Sequence, residues 1–340
     1  MKNISVITKV LKETMLSYFR PSIKHLILHI TNRCNMRCRH CFVDIDKAVQ
    51  ELTLNEIGTI SKKFSDLIWL DIGGGEPTLR DDLEEIVSLF DFKELSIPTN
   101  GWDTNRIVKM LKKIHLNTDG KLIVTLSLDG MQRTHDEIRC PMSFERTIQT
   151  FNRLKEINGM RIKFNTVLCE KNVEEIIDLM HFVRGLRPAF HSILMLRGVS
   201  RDPSMRLPSV ERMKMLESDI YRIQRSYDYG RRGILLRVQR NYQAYKRELT
   251  MKALEVRRQP VLCRAGISHL VIWPEGSVSI CELLSSIGNI REKTLEGLLN
   301  SAEMKRAISS VRKGDCFCTH DCNMIENILL NPNSYLKLLR

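Results

Sequence analysis

Three cysteines that could bind a metal centre stand close together near the start of the chain. Cys34 and Cys38 are separated by three residues, and Cys38 and Cys41 by two. A [4Fe–4S] cluster held by three thiolates keeps one iron without a protein ligand, and that iron can bind a small molecule. The alternative is a structural zinc site, which needs a fourth ligand. His40 is the residue of this loop that could supply it.

A glycine-rich run and a second group of cysteines are the other features that could carry chemistry. The run is Gly73-Gly74-Gly75-Glu76-Pro77. Glycine lets the backbone approach a ligand closely, and exposed backbone groups can then pair with that ligand. Five of the ten cysteines lie between residues 260 and 340. In a chain without an export signal, such cysteines indicate metal ligands rather than disulfides.

Six short β-rich runs alternate with helical stretches and must position these groups. Such alternation predicts a parallel sheet with right-handed crossovers. Six strands are two short of a closed eight-stranded barrel, so we predict an α/β fold with an open, partial (β/α)6 barrel. Catalytic loops in such folds follow the carboxyl ends of the strands, where the cysteine triplet and the glycine run both lie. The predicted strands are Lys24–Ile30, Leu67–Ile72, Glu94–Pro98, Leu122–Leu128, Arg161–Leu168 and Phe190–Leu196.

The composition divides the chain into four segments. We expect an N-terminal helical extension over residues 1–22, the barrel over 23–199, a basic helical linker over 200–259 and a small cysteine-rich auxiliary domain over 260–340. The linker is predicted to form two helices, Val210–Tyr227 and Val238–Arg257. Residue type and spacing also predict helix N-caps at Thr53, Asp103, Ser143 and Asn172.

The loops of the predicted barrel resemble those of radical S-adenosylmethionine (SAM) enzymes, in the branch that carries SPASM or Twitch extensions. The resemblance rests on the CX3CX2C loop, on Gly-Gly-Glu-Pro after the second strand, and on the runs Thr99–Gly101, Ser127–Gly130 and His135–Arg139. It implies that the open iron of the cluster binds the amino and carboxylate groups of SAM. It also implies that SAM is bound by His40, Gly74, Gly75, Glu76, Asn100, Ser127 and Arg139.

The resemblance assigns a part of SAM to most of these residues. Gly74–Glu76 would contact the amino group of SAM, and His40 would lie beside the adenine. Ser127 and Arg139 would contact the ribose and the carboxylate, and the planar guanidinium fork suits a carboxylate. The alternative for Arg139 is a surface ion pair.

The C-terminal segment resembles the SPASM/Twitch extensions, which hold auxiliary [4Fe–4S] clusters. Twelve residues separate Cys263 from Gly276 and four separate Gly276 from Cys281, and the run Gly288–Ile290 and three further cysteines follow. Five cysteines support one fully ligated cluster, so we predict a shortened, Twitch-like domain with one auxiliary [4Fe–4S] cluster. Structural zinc is the alternative, since four thiolates also make a good zinc site.

The candidate ligands of the auxiliary cluster are Cys263, Cys281, Cys316, Cys318 and Cys322. The resemblance gives two of the four positions to Cys263 and Cys281. Spacing leaves the other three cysteines in competition for two positions. Because ligands one residue apart are sterically demanding, Cys318 and Cys322 are favoured and Cys316 is the alternate.

Glu282 is the candidate catalytic residue, because it directly follows Cys281. In several enzymes of the group that the chain resembles, an acidic residue at this place takes a proton from the substrate as it is oxidised. The resemblance therefore implies a general base, with a pKa raised toward neutrality if the side chain is buried near the cluster. The alternative is an ordinary exposed glutamate.

The composition is typical of a soluble globular protein. Of 340 residues, 43% are hydrophobic and 27% are charged. The chain has no apolar run long enough to cross a membrane and no secretory signal, so a cytoplasmic location is expected.

The net charge of +13 is concentrated in one stretch. Between Arg197 and Arg258 there are sixteen lysines and arginines against seven acidic residues. This pattern favours a pair of solvated basic helices. Attraction to an acidic partner is the alternative, but few aromatic residues interleave the charges as single-stranded nucleic acid would require. We therefore expect no nucleic-acid partner.

The resemblance, which covers residues 24 to about 325, implies an enzyme that cleaves SAM reductively and removes a hydrogen atom from its substrate. The expected substrate is a ribosomally made peptide, which would be oxidised, crosslinked or epimerised. The alternative substrate is a small molecule such as an aminosugar, a cyclitol or a tetrapyrrole precursor. A non-enzymatic iron–sulfur electron carrier is a third reading, but a carrier has no use for a SAM pocket.

The same resemblance implies protein partners. A reductant such as flavodoxin or ferredoxin would supply the electron. The segment before the first strand, residues 1–22, is too short for the winged-helix domain that binds leader peptides in many related enzymes. We therefore expect that a separate leader-peptide-binding protein supplies this function.

Overall fold

The computed structural model describes residues 22–227, 229–317 and 319–339. Apart from Ser22, the predicted N-terminal helical extension lies outside the described residues. The described part of the chain forms one nine-stranded sheet. Its strands are β1 (His25–Thr31), β2 (Leu67–Gly74), β3 (Phe92–Thr99), β4 (Leu122–Ser127), β5 (Arg161–Leu168), β6 (Phe190–Met195), β7 (His269–Ile272), β8 (Ser277–Ser279) and β9 (Gly288–Asn289).

The first six strands lie side by side in chain order, and every neighbouring pair is parallel. This arrangement confirms the predicted parallel sheet of a partial (β/α)6 barrel. The predicted strand ends agree with the observed ends to within two residues, and β5 agrees at both ends. Alternation of β-rich and helical runs was therefore sufficient to locate the barrel.

The C-terminal segment continues the same sheet. β7 pairs in parallel with β1, with His269 opposite His25 and Ile272 opposite Leu28. β8 and β9 then add to β7 in antiparallel order. The sequence did not predict this pairing, which makes the barrel and the auxiliary domain parts of one sheet.

Twelve α-helices accompany the sheet in the described residues. They are α1 (Leu54–Ser61), α2 (Leu83–Ser88), α3 (Thr104–Asn117), α4 (Gln132–Ile138), α5 (Ser143–Lys155), α6 (Ile176–Leu186), α7 (Val210–Arg225), α8 (Gly233–Val256), α9 (Leu295–Leu299), α10 (Ala302–Lys313), α11 (Asp321–Leu329) and α12 (Tyr335–Leu339). The two predicted linker helices correspond to α7 and α8. No described helix has the length and apolar character needed to span a membrane.

Two of the four predicted N-caps are confirmed. Thr53 closes a capping box at the start of α1, and Asp103 accepts the N–H of the third residue of α3. The prediction for Ser143 is wrong, because Ser143 is itself the first residue of α5. Asn172 does occupy the N-cap position of a short 3-10 helix, Val173–Glu175, but it makes no capping bond, because its side chain accepts the Cys169 N–H instead.

The two faces of the barrel sheet differ in character, because side chains alternate between faces along each strand. One face packs against helices that include α1, α3 and α6 and is apolar; Leu26, Leu28 and Ile30 lie in its core. We call the opposite face the inner face. Its polar residues indicate a ligand-binding surface rather than a packed core. They include His25, His29, Asp71, Ser96, Thr125, Ser127, Lys163 and Asn165.

Candidate active site

The cysteine triplet lies in the loop that follows β1. A hydrogen bond of 3.1 Å from the Cys41 N–H to the Cys38 carbonyl closes the loop. Burial raises the pKa of Cys34, and burial together with the neighbouring thiols raises the pKa of Cys38 to about 12. Buried thiols ionise when a metal centre compensates their charge, so these surroundings suit metal-bound thiolates.

The described residues hold no group of three His, Cys, Asp or Glu side chains arranged for a single metal ion. The cysteines of a four-iron cluster stand farther apart than the ligands of one ion, because each binds a different iron.

The glycine run at the end of β2 packs directly on the cysteine loop. The Gly75 N–H donates to the Thr31 carbonyl, and the Glu76 N–H donates to the Arg33 carbonyl, each over 2.8 Å. A Cβ atom on Gly75 would lie 2.2 Å from the Arg33 oxygen, and Gly74 has a φ of +128°. Only glycine fits at these two positions, so the run fixes the distance between the two loops.

The Glu76 side chain ties the glycine run to the end of β3. Its carboxylate is buried and accepts the Asn100 N–H over 2.7 Å and the Thr78 hydroxyl over 2.6 Å. Burial raises the pKa of Glu76. Asn100 in turn donates from Nδ2 to the Asn35 side chain in the cysteine loop, over 2.7 Å. Loops from three strands are thus joined at the predicted SAM site.

Arg139 is a buried cation beside the cysteine loop. Its Nε donates to Oδ2 of Asp129 over 2.6 Å, and its Nη1 donates to the Cys38 sulfur over 3.7 Å. Its side chain is only 8% exposed. Burial alone would lower the pKa of Arg139, but the Asp129 carboxylate outweighs burial and raises it. The alternative of a surface ion pair is therefore wrong.

Asp129 is a site residue that the sequence analysis missed. Besides Arg139, it accepts the Val167 N–H over 2.8 Å and lies 3.4 Å from Nε2 of His40. Burial lowers the pKa of His40 to about 4, so this imidazole is neutral. The sequence feature that could have identified Asp129 is the run Ser-Leu-Asp-Gly, where an acidic residue follows the end of an apolar strand.

The structure gathers the residues predicted to bind SAM at the carboxyl ends of β1–β4. Ser127 is the last residue of β4 and lies half-buried on the inner face, opposite Asn165 of β5. The contact that each of these residues makes with SAM stays a prediction. They are His40, Gly74, Gly75, Glu76, Asn100, Ser127 and Arg139.

Three of the C-terminal cysteines lie near one another. Burial raises the pKa of Cys263 and of Cys316, and it raises the pKa of Cys281 to about 11. The pKa of each of these three thiols is also raised by the charge of another of the three, so the three thiols are neighbours. Cys318 lies outside the described residues.

Cys322 does not join this group. Its Sγ donates to Oδ2 of Asp71 on the inner face, over 3.4 Å. Burial and the Asp71 carboxylate raise the pKa of Cys322 well above its ordinary value. Because the first turn of α11 directs Cys322 toward β2, the structure favours Cys316 over Cys322 as a ligand, contrary to the sequence-based preference.

Glu282 is buried and surrounded by donors. Nε2 of His29 donates to its Oε1 over 2.8 Å, Nε2 of His320 contacts its Oε2, and Arg197 Nη2 lies 3.4 Å from Oε2. Burial would raise the pKa of Glu282, but these neighbours outweigh burial and hold the pKa well below its ordinary value. The expected raised pKa and the exposed alternative are both wrong. The general-base role stays a prediction that this environment disfavours.

Comparison with known protein families identifies the kind of active site that these residues form. Residues 28–183 match the radical SAM superfamily, and residues 263–323 match SPASM, an iron–sulfur cluster-binding domain. The chain is a radical SAM enzyme with a SPASM domain. The family, the fold class and the enzymatic nature expected from the sequence are confirmed.

Relatives of this radical SAM enzyme include proteins of two kinds. Over 340 residues it is 26% identical to the antilisterial bacteriocin subtilosin biosynthesis protein AlbA of Bacillus subtilis, with 93% of this chain and 70% of AlbA covered. Over 177 residues it is 29% identical to a probable GTP 3′,8-cyclase of Methanocaldococcus jannaschii, with 49% of this chain and 57% of the cyclase covered.

A solved structure shares the fold. It is that of Streptococcus suis SuiB bound to the precursor peptide SuiA, with a TM-score of 0.63 and 17% sequence identity. The match covers 89% of this chain and 70% of SuiB.

The residues present fit the cofactors of this radical SAM enzyme. The radical SAM domain implies a [4Fe–4S] cluster and SAM, and the SPASM domain implies auxiliary iron–sulfur binding. Three neighbouring thiols beside the Arg139 guanidinium suit the first cluster. Cys263, Cys281 and Cys316 suit the second. A single auxiliary cluster, with Cys318 as its fourth ligand, stays a prediction.

Helix α11 lies across the inner face and was not predicted there. His25 of β1 contacts Glu326 of α11, and its Nε2 also lies 3.0 Å from Oδ2 of Asp71 on β2. Burial would lower the pKa of His25, but Asp71 and Glu326 outweigh burial and raise it to about 10. From the amino to the carboxyl end of α11, the contacts are His320 with Glu282, Cys322 with Asp71, and Glu326 with His25 and His269.

The basic stretch Arg197–Arg258 lies between the barrel and the SPASM domain. α7 packs on α6, and α8 packs on α11 and α12. Several charged side chains of the basic stretch form ion pairs at the surface, which agrees with the prediction of solvated basic helices. Arg197 and Lys246 instead reach inward. The surface pairs include Arg212 with Glu174, Lys214 with Glu255, and Arg222 with Asp219.

Proposed function

We propose that this radical SAM enzyme modifies a ribosomally made peptide by removing a hydrogen atom from one of its carbons. AlbA takes part in the biosynthesis of a bacteriocin, and SuiB has been solved with a precursor peptide. Both likenesses extend over nearly the whole described chain, including the SPASM domain. Oxidation, crosslinking and epimerisation of the peptide are the outcomes that this chemistry allows.

The charge balance of the inner face is the observation that carries the proposal. Its buried cations are already paired with carboxylates of the protein: Arg197 with Glu282, Lys246 with Asp321, and His25 with Asp71 and Glu326. Among the described residues of the inner face, Lys163 of β5 makes no such pair, and a single spare cation does not suit a nucleoside triphosphate, which needs several cations. A neutral peptide backbone fits such a surface.

The cluster and SAM, when bound, supply the carbon-centred radical that removes the hydrogen atom. The protein residues hold the reactants and exclude water. Arg139, fixed by Asp129, presents a planar donor pair to a carboxylate. Gly75 and Glu76 hold the glycine run against the cysteine loop, so the SAM site is formed before substrate binds. Glu282 keeps β1 and α11 together at the boundary with the SPASM domain.

Two partners belong to this proposal. A reductant such as flavodoxin or ferredoxin supplies electrons one at a time. A separate protein binds the leader part of the precursor peptide and delivers it to this enzyme. Oxidation of a small molecule is the second candidate, because the radical SAM domain also matches a GTP 3′,8-cyclase.

Deuterium transfer tests the proposal. The enzyme is incubated with SAM, a reductant and a peptide encoded beside its gene, deuterated at its Cα and Cβ positions, and 5′-deoxyadenosine is analysed by mass spectrometry. We expect deuterium in 5′-deoxyadenosine. A variant without Cys34, Cys38 and Cys41 is the control and should form none. Transfer from GTP or from an aminosugar, and none from the peptide, would refute the peptide proposal.

A further inference from the structure

Two polar side chains on β5 lie on the inner face and have no hydrogen-bond partner among the described residues. Lys163 and Asn165 occupy successive inner-face positions, opposite Thr125 and Ser127 of β4. Both are only half-buried, whereas their apolar neighbour Phe164, on the other face, is fully buried. This part of the inner face is therefore accessible to solvent.

These two side chains have unused hydrogen-bonding capacity. Oδ1 of Asn165 is buried and has no partner, and neither end of this amide pairs with another described residue. The Lys163 ammonium likewise makes no hydrogen bond or ion pair within the described residues. A buried polar group without a partner is rare and costs about 1–3 kcal/mol. A bound ligand would remove that cost.

Arg197 provides a third group at the same place. Its guanidinium stacks on the Phe42 ring, 5.1 Å from the ring centre, and pairs with Glu282. Its Nε is nevertheless buried and has no hydrogen-bond partner in the part of the chain that the structure describes. Arg197 follows β6, the strand that pairs with β5, and its partner Glu282 contacts His29 on the inner face, so Arg197 faces the inner-face space at the carboxyl end of these strands.

The unused groups define the chemistry of a ligand. Lys163 and Arg197 offer donors only, whereas the Asn165 amide offers one donor side and one acceptor. A carboxylate or a phosphate would satisfy the donors but would leave the Asn165 oxygen unpaired. An amide, whether primary or secondary, satisfies both, because its carbonyl accepts and its N–H donates.

We propose that Lys163, Asn165 and Arg197 form a subsite that binds an amide of the substrate, either a peptide bond or an Asn or Gln side chain. This subsite rests on the proposed peptide function and gives it a recognition element. Because Asn165 lies directly opposite Ser127, an amide held here places a neighbouring carbon next to the SAM site.

Chemical protection of Lys163 tests the subsite without turnover. The reconstituted enzyme with SAM is treated with formaldehyde and a borane reductant, and methylation of each lysine is followed by peptide mass spectrometry. The probes are a pool of capped tripeptides, sodium acetate and GTP. We expect the tripeptides to slow Lys163 methylation at least fivefold and to leave exposed Lys171 unchanged. No protection by the tripeptides, or equal protection by acetate or GTP, would overturn the proposal.

Substitutions separate the subsite from the SAM site and from the proposed function. Lys163→Met and Asn165→Leu should raise the KM for the peptide substrate by about 10–100-fold, as expected for loss of a hydrogen bond to a charged or buried group. Lys171→Met is the matched control. The affinity for SAM, measured by calorimetry, should change less than twofold. Loss of SAM affinity in these variants would assign the residues to SAM instead.

Different experimental results would refute the peptide function and the amide subsite. If the peptide donates deuterium but Lys163→Met and Asn165→Leu leave its KM unchanged, the subsite is wrong and the peptide function stands. If only GTP or an aminosugar donates deuterium, the peptide function fails first.

Discussion

His29 and Glu282 join the barrel to the SPASM domain through one buried contact. Nε2 of His29, on the first strand, lies 2.8 Å from Oε1 of Glu282, which follows the cluster-domain residue Cys281. The His29 ring also stacks on Trp273, with ring centres 4.4 Å apart. The two domains therefore share a buried polar contact in addition to the shared sheet. A substitution of Glu282 should affect both domains.

Glu282→Gln should destabilise the enzyme. The glutamine carbonyl can accept from one neighbour, but its amino group would face the donors of His29, His320 or Arg197. Facing donors in a buried site leave hydrogen bonds unmade, so we expect the free energy of unfolding to fall by about 1–3 kcal/mol. Urea unfolding followed by circular dichroism measures this loss.

Glu303→Gln is the control for this substitution, because Glu303 is an exposed residue on α10. It should change the free energy of unfolding by less than about 0.5 kcal/mol. Equal effects of the two substitutions would show that the donors around Glu282 do not hold a buried charge.

Stability should fall with rising pH because of His25. Its pKa is about 10 in the folded state and 6.5 as the ordinary value, so the charged imidazole stabilises the fold fully below pH 6.5. That stabilisation is lost as the pH rises toward 10. We expect wild type to exceed His25→Gln in stability by roughly 3 kcal/mol at pH 6, with the difference shrinking toward pH 10. A difference that stays constant with pH would disprove a charged His25.

Asp129→Asn should weaken SAM binding. The asparagine can still accept the Val167 N–H, but it no longer pairs its charge with Arg139, so the guanidinium loses its fixed orientation. We expect the Kd for SAM to rise about 10–100-fold, since a fixed charge-assisted contact is worth about 1.5–3 kcal/mol. Calorimetry of the reconstituted enzyme measures the Kd. The exposed Asp178, changed to Asn, serves as control; if it weakens binding as much, Asp129 has no special role.

Local sequence patterns were sufficient for the barrel and for the neighbourhood of the SAM site. Strand and helix periodicity is a property of a few consecutive residues, and loops at the carboxyl ends of adjacent parallel strands necessarily meet. The cysteine loop, Gly75, Glu76 and Asn100 could therefore be placed together from the sequence.

The parts that were missed depend on contacts between distant segments. Pairing of β7 with β1 joins residues more than 200 positions apart, and no local pattern encodes it. The phase of α11 decides that Cys322 faces Asp71 rather than Cys281. The low pKa of Glu282 arises from His320 and from His29, and His29 lies far away in the chain. One sequence feature did indicate such contacts: His25 and His29 lie on the same face of the otherwise apolar strand β1.

Iron content and SAM cleavage, measured together on a small set of cysteine variants, test the two-cluster arrangement most directly. Anaerobically reconstituted wild type should hold about eight irons per chain, as two four-iron clusters require. Replacing Cys34, Cys38 and Cys41 with Ala should remove about half of the iron and all 5′-deoxyadenosine formation. Cys316→Ala should also lose about half of the iron but keep cleavage of SAM without substrate, whereas Cys322→Ala should keep all of its iron.

The result that would contradict this arrangement is specific. If Cys322→Ala loses the auxiliary iron and Cys316→Ala keeps it, the assignment of ligands from the structure is wrong. If every variant, including the auxiliary ones, loses SAM cleavage together with its iron, the SAM site and the SPASM site do not act separately.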